Sequence, residues 1–152
     1  MKVVVDTNIV FSGMLNTNNH IANILVRTKT KHPFYSTEQL RIEIENYSDK
    51  LMIIAKCSEH GFRRVFSLFT RKIQFVNRQF IPHQFYHEAL SLTKDVDIDD
   101  TEFVALTMCL DGRFWSGDKI LKKWLVDRDW DKFVTMGELM RNQAQFGLWL
   151  AE

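Results

Sequence analysis

The chain has 152 residues, 45% of them hydrophobic and 26% charged, with a formal net charge of +1. That length suits one domain, 1–152, able to bury roughly 70% of the surface its unfolded chain exposes. The near-neutral charge excludes a protein held to nucleic acid by broad electrostatics alone, but not one using a local patch or a metal.

Residues 2–5 form a β-branched run ending at Asp6, the pattern of a buried strand. Helical spacing follows over 8–15 and 20–28, and Phe34 with Tyr35 suits a second strand. Ser36-Thr37-Glu38-Gln39 has the S-x-x-Q form of a capping box, which satisfies the orphan amides of a helix start. One helix is therefore predicted from there to about residue 55. A further helix is read over 61–70, a strand over 73–76, and a helix over 84–93 entered by Pro82. The acidic stretch 95–100 precedes a helix reaching about Leu110. Residues 113–116 read as a strand, 119–126 as a helix, Phe133–Val134 as a last short strand, and a helix begins at Gly137. Short apolar strands alternating with helices predict an α/β sandwich around a mostly parallel sheet.

In such a sheet, ligands bind outside the carboxyl ends of the strands. Asp6 follows the first strand directly, and Asp118 follows the strand at 113–116. Each also suits a helix N-cap, and for Asp118 alone the cap is the simpler reading. Asp99, three residues before Glu102, reads as the cap of the next helix. Asp100 is then free to point at the strand ends, although the two can exchange roles. On a helical wheel Leu40, Ile44, Tyr47, Leu51 and Ile54 share one face of the predicted 36–55 helix. Glu43 falls at its edge, whereas Glu38 and Glu45 fall on the solvent side. Four carboxylates in one cleft raise one another's pKa, and a hard cation such as Mg²⁺ or Mn²⁺ relieves the conflict.

Competing motifs fail on spacing. Asp95, Asp97 and Asp99 open like an EF-hand, but Asp100 and Leu106 stand where the loop needs Gly and Glu. His83 and His87 lack an H-E-x-x-H context, and no phosphate-binding glycine loop exists. Cys57 and Cys109 have no metal or disulfide spacing. The apolar C-terminal segment with Phe146, Leu148, Trp149 and Leu150 reads first as core. No apolar run spans a membrane and MKVVVDTN is too short and polar for a secretory signal, so a cytoplasmic protein is expected.

VVVDTNIVFSGML, then Glu43, DIDDTEFVAL and FWSGDKIL, together resemble PIN-domain ribonucleases, many of them toxins of bacterial toxin–antitoxin pairs. The resemblance runs from residue 3 to about residue 140, without an alignable pattern over 57–83. It implies a three-layer α/β/α sandwich with a mostly parallel sheet of about five strands. It also implies Mg²⁺ or Mn²⁺ held by Asp6, Glu43, Asp100 and Asp118, with Thr7, Asn8 and Ser116 supporting them. An antitoxin partner and a homodimer are further implications.

The expected activity is metal-assisted hydrolysis of RNA, leaving 5′-phosphate and 3′-hydroxyl ends because water attacks rather than the ribose 2′-OH. Lys119, Lys122 and Lys123 are the preferred phosphate contacts, with Arg27, Lys29, Lys31, Arg63 and Arg64 as others. The alternative is a non-catalytic module binding nucleic acid or protein on the same fold. A phosphotransfer domain ranks third, because Asn8 stands where a haloacid-dehalogenase type needs a second Asp.

Overall fold

Val3, Val4 and Val5 have no exposed surface. β-Branched side chains fit a pleated surface, and a strand buried on both faces belongs inside a covered sheet. The computed structural model, which describes residues 1–16, 20–27 and 32–141, places this strand accordingly. β1 (Val3–Val5) is flanked by β2 (Phe34–Thr37), with β3 (Ile73–Val76) beyond it and β4 (Arg113–Trp115) on the other side. The order is β3-β2-β1-β4 and every pairing is parallel. Val3 stands opposite both Phe34 and Arg113, and Val5 opposite Trp115.

Among the described residues the sheet has four strands rather than five. At the place of the fifth, Phe133 makes a single parallel bridge to Phe114. The Phe114 amide donates to Lys132 O and the Val134 amide to Phe114 O, and pairing goes no further.

Helices complete the layers: α1 (Thr7–Leu15), α2 (His20–Ala22), α3 (Glu38–Asn46), α4 (Ser48–Ala55), α5 (Glu59–Thr70), α6 (His83–Thr93), α7 (Thr101–Leu110) and α8 (Lys119–Val126). The chain leaves α2 through a π-helical segment, Asn23–Arg27, and residues 136–141, at the end of the described chain, are helical. α7 lies against β1, β2 and β4, with α6 packed beside it. Its buried Phe103 stacks on Phe114 at 6.2 Å, while the next strand residue, Trp115, turns to the opposite face and meets Phe34. That alternation is the strand's own period of two. α1 and α5 approach so closely that a Cβ on Gly13 would lie 2.5 Å from the Phe69 ring, so only glycine fits there.

Two local expectations give way. Ser36 caps no helix, because it belongs to β2, where its hydroxyl donates to Val5 O at 2.9 Å. The single helix expected over 36–55 is two helices, broken at Tyr47 with φ −101° and ψ 9°. The break shifts the helical phase: Leu40, Ile44 and Leu51 are buried as expected, but Tyr47 and Ile54 are 48% and 62% exposed. Glu38 and Glu45 are exposed and paired with Arg41 and Arg63. Cys57 and Cys109 are free thiols, and no described helix is long and apolar enough to cross a membrane. Residues 28–31 and the C-terminal aromatic segment lie outside the described residues.

Candidate metal centre

The chain runs outward from β1 to β2 and β3, then returns to the other side of β1 for β4. The ends of β1 and β4 therefore border the switch point where open sheets place their ligands. The Asp6 amide donates to Trp115 O at 3.0 Å, carrying the pairing one residue past β1. Its side chain is 4% exposed, caps none of the first amides of α1, and accepts the Ser116 hydroxyl at 2.6 Å. Ser116 Oγ in turn accepts the Asp118 amide at 3.1 Å, and Asn8 Oδ1 accepts the Gly117 amide at 3.1 Å. These bonds tie the start of α1 to the loop after β4.

Asp118 serves both readings of its position. Its Oδ1 caps α8 by accepting the Ile120 and Leu121 amides, while the second oxygen takes no part in the cap. Asp97, Asp100 and Asp118 bring one carboxylate oxygen each within 4.8 Å of one another.

The sequence offers Asp97 only as part of a calcium-loop pattern that fails on spacing, and the structure gives it the capping role expected of Asp99. Ile98–Asp100 is a 3-10 turn inserted before α7, and this moves the cap back two residues. Asp97 Oδ1 accepts the Asp99 amide at 3.1 Å, and Asp99 is exposed at the cleft edge. Asp100 faces inward and is buried. The turn is pinned from below, where Thr101 Oγ1 donates to Ile98 O and lies 2.6 Å from the buried Thr93 hydroxyl. It is pinned from the side by Gln39, whose Nε2 donates to Asp99 O and, at 2.6 Å, to Glu43 Oε1.

Asp6, Glu43, Asp97, Asp99, Asp100 and Asp118 all line one cleft of about 780 Å³. Burial pushes the Asp6 carboxyl up to about 6, against the lowering hydrogen bond from Ser116 and with the charge of Glu43 adding to the rise. Burial also raises Asp100, to about 9, with Asp6 and Asp97 next in effect. Glu102, at the same cleft, is raised by burial, with Arg78 opposing. Neither ion pair among the described residues involves any of these acids. Thr7 Oγ1, also on the cleft, is buried without a hydrogen-bond partner. An all-oxygen donor set, charges too close to ionise together and an orphaned hydroxyl suit a hard divalent cation with its waters.

Lys119 and Lys122 border a neighbouring hollow that shares Asp118, and Lys122 stands over the Phe133 ring; neither they nor Lys123 line the acidic cleft. Among the described residues, the cation that does line it is Arg78. It sits in the stretch where no motif could be aligned, and only the tertiary fold brings it there.

The PIN domain pattern matches residues 4–128, a span containing all four expected acids and Asp97. The chain belongs to the PIN-domain family. PIN domains are in general nucleases that use divalent cations, and this one carries an acid cluster suited to that use. No curated protein matches the chain in sequence. Among solved structures it is similar to VapBC2 from Rickettsia felis, bound to a DNA fragment from its promoter, with a TM-score of 0.63. That match covers 89% of this chain and 97% of the other at 9% identity, a likeness of fold.

Proposed function

We propose that this PIN domain is a Mg²⁺- or Mn²⁺-dependent endoribonuclease. The observation carrying this reading is the convergence of Asp6, Glu43, Asp97, Asp100 and Asp118 on one cleft with no cationic side chain among the described residues paired to them. Asp97, Asp100 and Asp118 would hold the ion directly, and Asp6 and Glu43 complete the oxygen lining. A bound Mg²⁺ or Mn²⁺ supplies a water acidic enough to act near neutral pH and a counter-charge for the phosphoryl oxygens. The chain's own residues set that chemistry up. Ser116 fixes the orientation of Asp6, and Gln39 fixes Glu43 against the acidic turn. Burial leaves the Asp6 and Asp100 carboxyls short of water, so a bound cation would be the counter-charge that favours their ionised form.

We further propose the toxin role in a toxin–antitoxin pair, acting in the cytoplasm as a homodimer with an antitoxin partner. The motif resemblance and the fold likeness to VapBC2 support it. The test of the activity is incubation of purified protein with single-stranded and structured RNA in Mg²⁺, Mn²⁺ or EDTA. Cleavage with 5′-phosphate products in either metal and none in EDTA is expected. RNA that is bound but left intact under all three conditions would favour a binding module instead.

A further inference from the structure

An acidic cleft repels the polyanion it is proposed to cut, so the position of its lining cation matters. Arg78 stands on the 3-10 turn Arg78–Phe80 that follows β3, and its guanidinium lies 4.5 Å from the ring centroid of Tyr86 on α6. Its guanidinium makes no ion pair and no hydrogen bond among the described residues, and its charge acts on the nearby Glu102 carboxyl, so its N–H donors remain available. Arg78 and Tyr86 line the acidic cleft and also a second hollow of about 450 Å³. The pair is thus the partition between the two spaces. The second hollow is lined besides by Asn77, Gln79, Ile81, Pro82 and His83, and no carboxylate lines it among the described residues. Its volume lies in the range of sites that take small organic ligands, roughly 300–1,000 Å³.

We propose that this partition and the hollow behind it form a subsite for an unpaired nucleotide of single-stranded RNA, beside the phosphate presented to the acids. This rests on the hydrolytic reading above. Arg78 binds the phosphate that crosses from one space to the other, as a planar fork suited to phosphate oxygens. The Tyr86 ring and the guanidinium plane lying over it offer the flat surface on which a splayed base stacks. Asn77 and Gln79 bring amide groups to the hollow for the base edge. A base held in a duplex cannot leave its stack to enter such a hollow without the cost of unpairing, so the subsite selects unpaired RNA.

The test uses a fluorescent, unstructured RNA oligonucleotide and its duplex, with binding read by anisotropy in an Asp6→Asn background and cleavage read in the parent. Arg78→Ala should weaken single-strand binding and flatten its salt dependence by about 0.7 in slope. Tyr86→Ala should weaken it at least about fivefold, with Tyr86→Phe restoring it. Duplex binding should be weaker and indifferent to Tyr86→Ala. Mn²⁺ affinity and melting temperature should stay at the parent's values, separating a subsite defect from a metal or folding defect. Arg78→Ala and Tyr86→Ala that bind and cut like their parents would overturn the subsite and leave the hydrolase reading standing. Equal loss on single strand and duplex would overturn the selection for unpaired RNA. If single-strand binding depends on both residues but neither metal supports cleavage, the subsite stands and the hydrolase reading fails.

Discussion

The hydroxyl of Ser116 stands between two carboxylate residues at the strand ends, donating to Asp6 Oδ2 at 2.6 Å and accepting the Asp118 amide at 3.1 Å. One oxygen thereby fixes an acid just after β1 relative to an acid after β4. Ser116→Ala should cost about 1 kcal/mol in thermal or denaturant unfolding, the usual worth of a hydrogen bond. It should also weaken Mn²⁺ binding by about tenfold or more, as loss of a group orienting a ligand does. The lost bond held the Asp6 pKa down, so the acid limb of the cleavage–pH profile should move to higher pH.

Asp118 joins a structural and a chemical role that substitution can separate. Asn is nearly as good an N-cap as Asp, while Ala is poor. Asp118→Asn should keep the melting temperature near the parent's and lose metal affinity. Asp118→Ala should lose the same affinity and about 1 kcal/mol of stability besides. Calorimetric Mn²⁺ titration beside thermal unfolding checks both, and equal stability of the two variants would contradict the cap.

Burial raises Asp6 from 3.8 to about 6 and Asp100 from 3.8 to about 9. The folded chain therefore holds protons that the unfolded chain has released across those windows. The associated stability is fully present below about pH 4 and is lost as pH rises through 6 and then 9. In EDTA the melting temperature should be higher at about pH 5 than at about pH 8.5. Asp100→Asn should flatten that dependence and exceed the parent's stability at the higher pH. A parent that gains stability from the lower to the higher pH in EDTA would contradict the crowded-acid electrostatics.

Gln39 reaches two parts of the site at once, Glu43 Oε1 at 2.6 Å and the carbonyl of Asp99. Its backbone belongs to α3 and its side chain is half-buried, so truncation removes a tie rather than core packing. Gln39→Ala should lower kcat about tenfold with little change in melting temperature. Gln39→Glu removes the donor and adds a charge, so it should be worse still, and more so at low Mn²⁺. Activity that is unchanged in both variants would remove Gln39 from the account.

The parts of this arrangement visible in the linear chain are those with a local cause. A run of valines closed by Asp6 marks a buried strand and an acid at its end, and Asp118 follows β4 by the same logic. Asp100 stands out because it adjoins the fully buried run Phe103–Leu106. The division of labour around it was obscured because a 3-10 turn and an α-helix start alike in sequence. The cap therefore fell on Asp99 when the fold uses Asp97. The break at Tyr47 was hidden by an apolar spacing that continues through it, although Ile54 is exposed once the phase shifts. Arg78 and Tyr86 belong to different elements and meet only in the folded chain, so no spacing announces them. The lysines after Asp118 suggest phosphate contacts through proximity in sequence, and the fold puts Lys119 and Lys122 in the hollow that shares Asp118 with the acidic cleft.

The central claim is that the crowded carboxylates of this cleft are a site for a divalent cation. Isothermal titration of Mn²⁺ into the metal-free protein tests it, with Asp100→Asn and Glu38→Gln titrated alongside. Glu38 is an exposed acid paired with Arg41, outside the cleft. The expected result is saturable binding that survives Glu38→Gln and is lost in Asp100→Asn. No saturable binding by the parent, or equal binding by all three proteins, would contradict the account.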